Sequence, residues 1–317
     1  ALAQTSSGVL TVTVGTATSI VASSGTPQSA QVNTSFATVF QATVRDAAGN
    51  LVGGASVTFT APTTGARGTF AGGLSTINVT TDANGVARAT AFTANTIAGS
   101  YSVTATVTGV GTPATFALTN TPGPARQISA TAGTPQSTQI STAFPTRFQV
   151  TVRDTFGNPL SGVVVRFTRP ASGPSGTFLG DVDSAVTNSS GVATAEAFVA
   201  NIIAGTYNVT ATVSGVVTPA IFVLTNTPGP PSQIVATAGN QQTAQVGTAF
   251  ATNLKATVKD GANNPVPGVL VTFTKPPLTS ASGTFAGGID TVRTDSNGVA
   301  TAPTFTANLI AGSYNVN

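Results

Sequence analysis

The side chains that could do chemistry in this 317-residue chain are few and thinly spread. Eight Asp and Glu196 face twelve cations, and His and Cys are absent. That excludes a zinc site of the usual kind, an iron–sulfur cluster and the common haem ligands. It also excludes a Ser-His-Asp or Cys-His nucleophile. Only carboxylates remain. Asp82-Ala83-Asn84-Gly85 and Asp295-Ser296-Asn297-Gly298 could offer oxygens to calcium, but an Asx-capped β-turn accounts for the same pattern. Asp181 and Asp183 stand close together, yet calcium would need about five more oxygens there. Arg45-Asp46 and Arg153-Asp154 read as strand-end charges, because neighbours in a strand point to opposite faces. The expectation is a non-enzymatic protein with no catalytic residue, no cofactor and no metal.

Other chemistries fare no better. An isopeptide cross-link needs Lys beside Asn or Asp with an acidic catalyst. Lys255, Lys259 and Lys275 all fall in the last third of the chain, away from Glu196. Asn33-Thr34-Ser35, Asn78-Val79-Thr80, Asn188-Ser189-Ser190 and Asn208-Val209-Thr210 match the glycosylation pattern, as a Thr-rich chain does by chance. The net charge is only +3. The densest basic patch is Arg166 with Arg169, too little to neutralise several phosphates, so nucleic acid is not an expected partner. No apolar run approaches the length of a membrane span. Met is absent, which points to a processed chain or a fragment, and Ala1-Leu2-Ala3-Gln4 is similar to the small-residue end of a signal peptide. The expected location is extracellular, at the cell surface.

The elements that carry these residues repeat. Val44-Arg45-Asp46 returns as Val152-Arg153-Asp154 and as Val258-Lys259-Asp260. Gly68-Thr69-Phe70 returns at Gly176 and Gly283, and Ala98-Gly99-Ser100-Tyr101 at Ala204 and Ala311. A period of about 107 residues has the size of a whole domain rather than of a solenoid repeat. Within each copy, Tyr101, Val103, Ala105 and Val107 alternate with Ser102, Thr104, Thr106 and Thr108, the mark of half-buried strands. Gly- and Asn-rich turns separate such runs, and no convincing helix is present. The expected fold is all-β, three tandem immunoglobulin-like sandwiches of about seven strands each, the last lacking its final strand. The boundaries read 1–16 for an extra N-terminal strand, then 17–122, 123–228 and 229–317. The linkers Thr121-Pro122-Gly123-Pro124 and Thr227-Pro228-Gly229-Pro230 should restrict bending.

The segment from Val258 to Pro276, followed by that from Val292 to Val316, resembles the bacterial Ig-like domain of group 1, the module of invasin- and intimin-type adhesins. The shared pattern is V-x-D-x-x-G-N-P-V-x-G-V-x-V-x-F, then T-D-x-x-G-x-A, then A-G-x-Y-x-V. The other copies carry it with Leu51 in place of Pro159, and with Thr187-Asn188 in place of Thr-Asp. The resemblance covers nearly the whole chain. It implies a rigid extracellular spacer or adhesive module and no chemistry.

One offset in the repeat frame suggests a mechanism. Val9-Leu10-Thr11 aligns with Val223-Leu224-Thr225, so residues up to Val14 stand where a last strand belongs, while the third copy stops before its own. An unpaired sheet edge is an aggregation hazard that an added strand repairs. The expected contact is donation of Ser6–Val14 to the third domain of the next subunit. Leu10, Val12 and Val14 would face the groove, Thr11 and Thr13 would face out, and Tyr314 and Val316 would lie on the acceptor side. Burying each apolar side chain would contribute roughly 1.5–3 kcal/mol. Such head-to-tail contacts do not close, giving a homopolymeric fibre. Gly8 weakens the match, standing where other copies have Phe116 and Phe222. The alternative is a segment of the rigid stalk of a large cell-surface adhesin, with a host or neighbouring cell as the target.

Overall fold

The computed structural model describes residue 8 and residues 10–317; residues 1–7 and Val9 lie outside the described residues. The first unit contains β1 (Ala17–Ser24), β2 (Gln28–Gln31), β3 (Gln41–Asp46), β4 (Ser56–Thr60), β5 (Gly68–Phe70), β6 (Thr76–Thr80), β7 (Val86–Arg88), β8 (Phe92–Ala94), β9 (Gly99–Val107) and β10 (Ala114–Thr121). A five-stranded sheet runs β2-β10-β9-β4-β6, β1-β3-β7 makes the facing sheet, and β5-β8 form a separate pair. All pairings are antiparallel except β2 with β10.

The alternation written in the sequence is the alternation of burial. Along β10, Ala114, Phe116, Leu118 and Asn120 face inward while Thr115, Ala117 and Thr121 face out. Phe40, Phe59, Phe70, Phe92 and Phe116 interlock between the sheets, with Phe40 and Phe116 centroids 5.0 Å apart. Such tilted ring pairs supply much of the core area.

The second unit repeats this plan with β11 (Gln127–Ala132), β12 (Gln136–Gln139), β13 (Gln149–Arg153), β14 (Val164–Thr168), β15 (Gly176–Phe178), β16 (Ser184–Val186), β17 (Val192–Thr194), β18 (Phe198–Ala200), β19 (Gly205–Thr212) and β20 (Ala220–Thr227). The expected seven strands become ten segments because strands break where they change sheets. The break between β11 and β12 is at Gly133. Its φ is +87°, and a Cβ there would lie 2.8 Å from the Arg147 carbonyl oxygen. Only glycine accepts both conditions.

The third unit has β21 (Pro231–Ala238), β22 (Lys255–Asp260), β23 (Leu270–Thr272), β24 (Gly283–Phe285), β25 (Thr291–Arg293), β26 (Val299–Thr301) and β27 (Phe305–Ala307). Among the described residues nothing stands in the place of β10 or β20, and residues 242–245 form no strand. The reason is local. β2 and β12 pair only with β10 and β20, so their counterpart has no ladder to join. The cost shows in the core. Nineteen buried apolar residues cluster in each of the first two units and nine in the third. Among the described residues the only helices are three-residue 3₁₀ turns, and no helix is long and apolar enough to cross a membrane.

Candidate functional site: domain joints

Two polar constellations recur, and the first lies at the junctions between units. Asp154 directly follows β13 and turns the chain. Its Oδ1 accepts from the backbone N–H groups of Phe156 and Asn158, both at 2.8 Å. Its Oδ2 accepts from Asn158 Nδ2 at 2.8 Å and from the linker Gly123 N–H at 2.9 Å. Asn158 then reaches back into the preceding unit. Its Nδ2 donates to the Thr96 carbonyl at 2.8 Å, and its Oδ1 accepts from the Ala98 N–H at 2.9 Å.

The second junction repeats the arrangement. Asp260 accepts from Ala262, Asn264 and Gly229, and Asn264 bonds the Ile202 carbonyl and the Ala204 N–H, each at 2.9 Å. Both asparagines are buried. The first unit carries the same turn, with Asp46 accepting from Ala48, Asn50 and Gly15, and Asn50 stands exposed.

These aspartates are buried without a cation beside them; N–H donors hold the charge instead. Burial pushes Asp154 and Asp260 up, but the Asn side chain and three backbone N–H groups outweigh it and hold each carboxyl below the usual aspartate range. At Asp46 the Asn50 side chain is the largest influence, with the same net direction. The reading of these residues as plain strand-end charges is therefore corrected. Arg45 and Arg153 do face solvent, donating to the carbonyls of Gly49 and Gly157. The aspartates turn inward and clamp the linker.

The second constellation seals one end of each complete sandwich. Tyr101 Oη donates to Asn120 Oδ1 at 3.0 Å across the β9–β10 ladder. Asn120 Nδ2 lies 2.8 Å from the Arg67 carbonyl, 3.0 Å from Asn95 Oδ1 and 3.1 Å from the Ile97 carbonyl. Tyr207 and Asn226 repeat this in the second unit. Residues Asn95–Ala98 belong to the loop that meets Asn158, so the Tyr–Asn lock holds the surface on which the next unit sits.

Of the residues expected in a donated strand, Leu10 and Val12 are each 95% exposed, Val14 is half exposed, and Thr11 and Thr13 are exposed. Val9 lies outside the described residues. The structure does not bring this segment to the third unit. On the acceptor side, Tyr314 packs edge-on against Phe250 and Phe305, and Val316 joins the same core. Asn317 exchanges backbone hydrogen bonds with Thr274 at 2.6 and 2.9 Å.

The Asp-Asn-Gly turns are structural. Asp82 and Asp295 each accept from two turn N–H groups, and the uncharged Asn188 makes the same bonds. Asp183 lies 4.0 Å from Arg166 on the surface. Sequence reasoning missed the joint and the lock. Two signals could have found them: Asp-x-x-x-Asn in every copy with Gly 31 residues before it, and an Asn on the inward row of an otherwise apolar strand.

These features define a class: immunoglobulin-like sandwiches in series, each seated on the last through a side-chain-built joint. No family model matches the chain. It is 31% identical over 272 residues to the inverse autotransporter adhesin YeeJ of Escherichia coli K12, a stretch that is 83% of this chain and 11% of that protein. Its fold is similar to the adhesin FdeC of E. coli, with a TM-score of 0.53 at 20% identity over 95% of this chain and 92% of that one. It is also similar to InvD of Yersinia pseudotuberculosis, with a TM-score of 0.56 at 20% identity over 95% and 84%. The units have the fold of the bacterial Ig-like domains that these adhesins carry, and the likeness to cell-surface adhesins puts them outside the cell, at its surface.

Proposed function

We propose that the chain is a stretch of the rigid stalk of a cell-surface adhesin, a spacer without enzymatic activity that holds a target-binding region away from the cell. The observation that carries this reading is the repetition of one joint. Two successive junctions use the same Asp, Asn and linker Gly, so the orientation of each unit on the last is set by side-chain hydrogen bonds as well as by prolines. A spacer needs such repetition; a catalyst needs free ionisable groups in a cleft, and here the inward aspartates are engaged in turns. The likeness to an inverse autotransporter adhesin supports the same reading. The test is a denaturing gel of protein released from the cell surface. A band far above the 31.2 kDa of this chain is expected, and a band at that mass overturns the stalk.

A second reading is a fibre subunit that donates residues 6–14 to the third unit of its neighbour. The exposed Leu10 and Val12 favour it. Its partners would be copies of itself, and the gel would show the small band.

A further inference from the structure

In each of the first two sandwiches the chain enters beside the strand by which it leaves, and the two run the same way. The only parallel ladders among the described strands are these. β2 pairs with β10 from Gln28↔Leu118 to Gln31↔Thr121, and β12 with β20 from Gln136↔Leu224 to Gln139↔Thr227. Further hydrogen bonds lengthen both ladders at the same places. At the entry end, Thr26 Oγ1 accepts from the Ala117 N–H at 2.9 Å, and Thr134 Oγ1 from the Val223 N–H at 2.8 Å. At the exit end, the Val32 N–H donates to the Thr121 carbonyl and the Ile140 N–H to the Thr227 carbonyl, each at 2.9 Å. Gln28 grips β2 from its other flank. Its Nε2 donates to the Gly25 and Thr38 carbonyls at 2.8 and 2.7 Å, and its Oε1 accepts from the Thr38 N–H at 3.2 Å. Gln136 does the same for β12. Parallel pairing is slightly less stable per residue than antiparallel pairing, so stability alone does not account for this device. Its direction does.

We propose that the β2–β10 and β12–β20 ladders, tied at their entry ends by Thr26 and Thr134, are tension clamps that let a sandwich transmit a pull along the chain without opening. Tension reaches β2 from Gly25, at the end of the ladder next to Ala117. It leaves β10 from Thr121, at the end next to Val32. Because the strands are parallel, the two pulls oppose each other along the ladder. The hydrogen bonds are then loaded in shear and must yield together. Were the same two strands antiparallel, both pulls would act at one end and peel the bonds one at a time. β1, paired with β3, takes the pull first; once it slips, the whole pull falls on β2. The Thr hydroxyls tie the strand where the pull arrives, and the Gln amides keep it from swinging away from its ladder. The clamp concerns the first two units and stands whether or not the stalk reading does.

The test is single-molecule force spectroscopy on the full chain, which has no Cys of its own, so added thiols alone place the handles. With handles at the two ends, each of the first two units should yield in one step that frees residues 32–117 or 140–223, roughly 300 Å of chain. In a second preparation, handles at Gly8→Cys and Gly111→Cys load the first unit from one end. The β9–β10 turn lies beside the start of β1, since a Cβ on Gly109 would be 3.6 Å from the Ala17 carbonyl oxygen, and Gly111 faces open space. This geometry peels the ladder. The first unit should then open at about half the end-to-end force or less, because forced unfolding follows the barrier that the loaded bonds set. Thr26→Val should lower the end-to-end force and leave the same-end force unchanged. Equal forces in the two geometries overturn the clamp. So does an end-to-end force that Thr26→Val leaves unchanged, or a fall of equal size in both geometries. The comparison of the two geometries needs no change in the ladder, so a poorly folding Thr26→Val variant does not remove the test.

Discussion

At the scale of single residues, the telling groups are polar and inward. Asn120 and Asn226 sit on the core row of strands that are otherwise apolar there, each 1% exposed. Their side chains are tolerated because every polar atom meets a partner. Replacing Asn226 by Ala should strand Tyr207 Oη and several acceptors, destabilising the second unit by about 2–4 kcal/mol. Tyr207→Phe should cost only about 1 kcal/mol, since the ring packing survives. Urea unfolding of the full chain, followed by hydrogen exchange in β19 and β20, separates the two variants. The aspartates carry a pH dependence. Their folded values lie below the unfolded one of about 3.9. Their contribution is therefore complete above pH 4 and lost as pH falls through the folded values. Asp154→Asn and Asp260→Asn should flatten that acid loss while weakening the junctions at neutral pH. Thermal unfolding between pH 2 and 7 checks both signs.

At the scale of elements, turns and ladders decide what the alternating sequence can become. The Asn188–Gly191 turn needs its glycine. Its φ is +73°, and a Cβ would lie 2.7 Å from the Val152 carbonyl oxygen and 2.9 Å from the Pro159 ring. Gly191→Ala should destabilise the second unit by about 2 kcal/mol or more, seen as a lower urea midpoint. Pairing has equal weight. The stretch 242–245 resembles β2 and β12 in sequence yet is no strand, because a strand without a neighbour has no ladder to stabilise it.

At the scale of the whole molecule, the three units differ in reserve. Within this 317-residue span, with nine buried apolar residues against nineteen, the third should unfold first, giving a separate low-temperature step in calorimetry. The junctions are the other large-scale feature. Asn158→Ala and Asn264→Ala each remove two bonds between units and one Asn–Asp side-chain bond, while the backbone N–H groups of the turns still hold Asp154 and Asp260. The double variant should bend more, with a shorter maximum dimension in small-angle X-ray scattering. Equal scattering curves would show that the prolines alone set the orientation.

Much was legible in the residues alone. Three copies, β-alternation and the resemblance of their motifs to bacterial Ig-like domains come from local patterns, since period-two burial and turn glycines act over a few residues. The absence of His and Cys excluded most catalytic chemistry by composition. What needed the tertiary structure is every contact between distant positions. Gly123 meets Asp154 across 31 residues, Ala98 meets Asn158 across 60, and Tyr207 meets Asn226 only because β19 and β20 pair in one register. A hydrogen bond depends on distance and angle within a few tenths of an ångström. Sequence periodicity carries no such information until the sheets have packed and brought those atoms together.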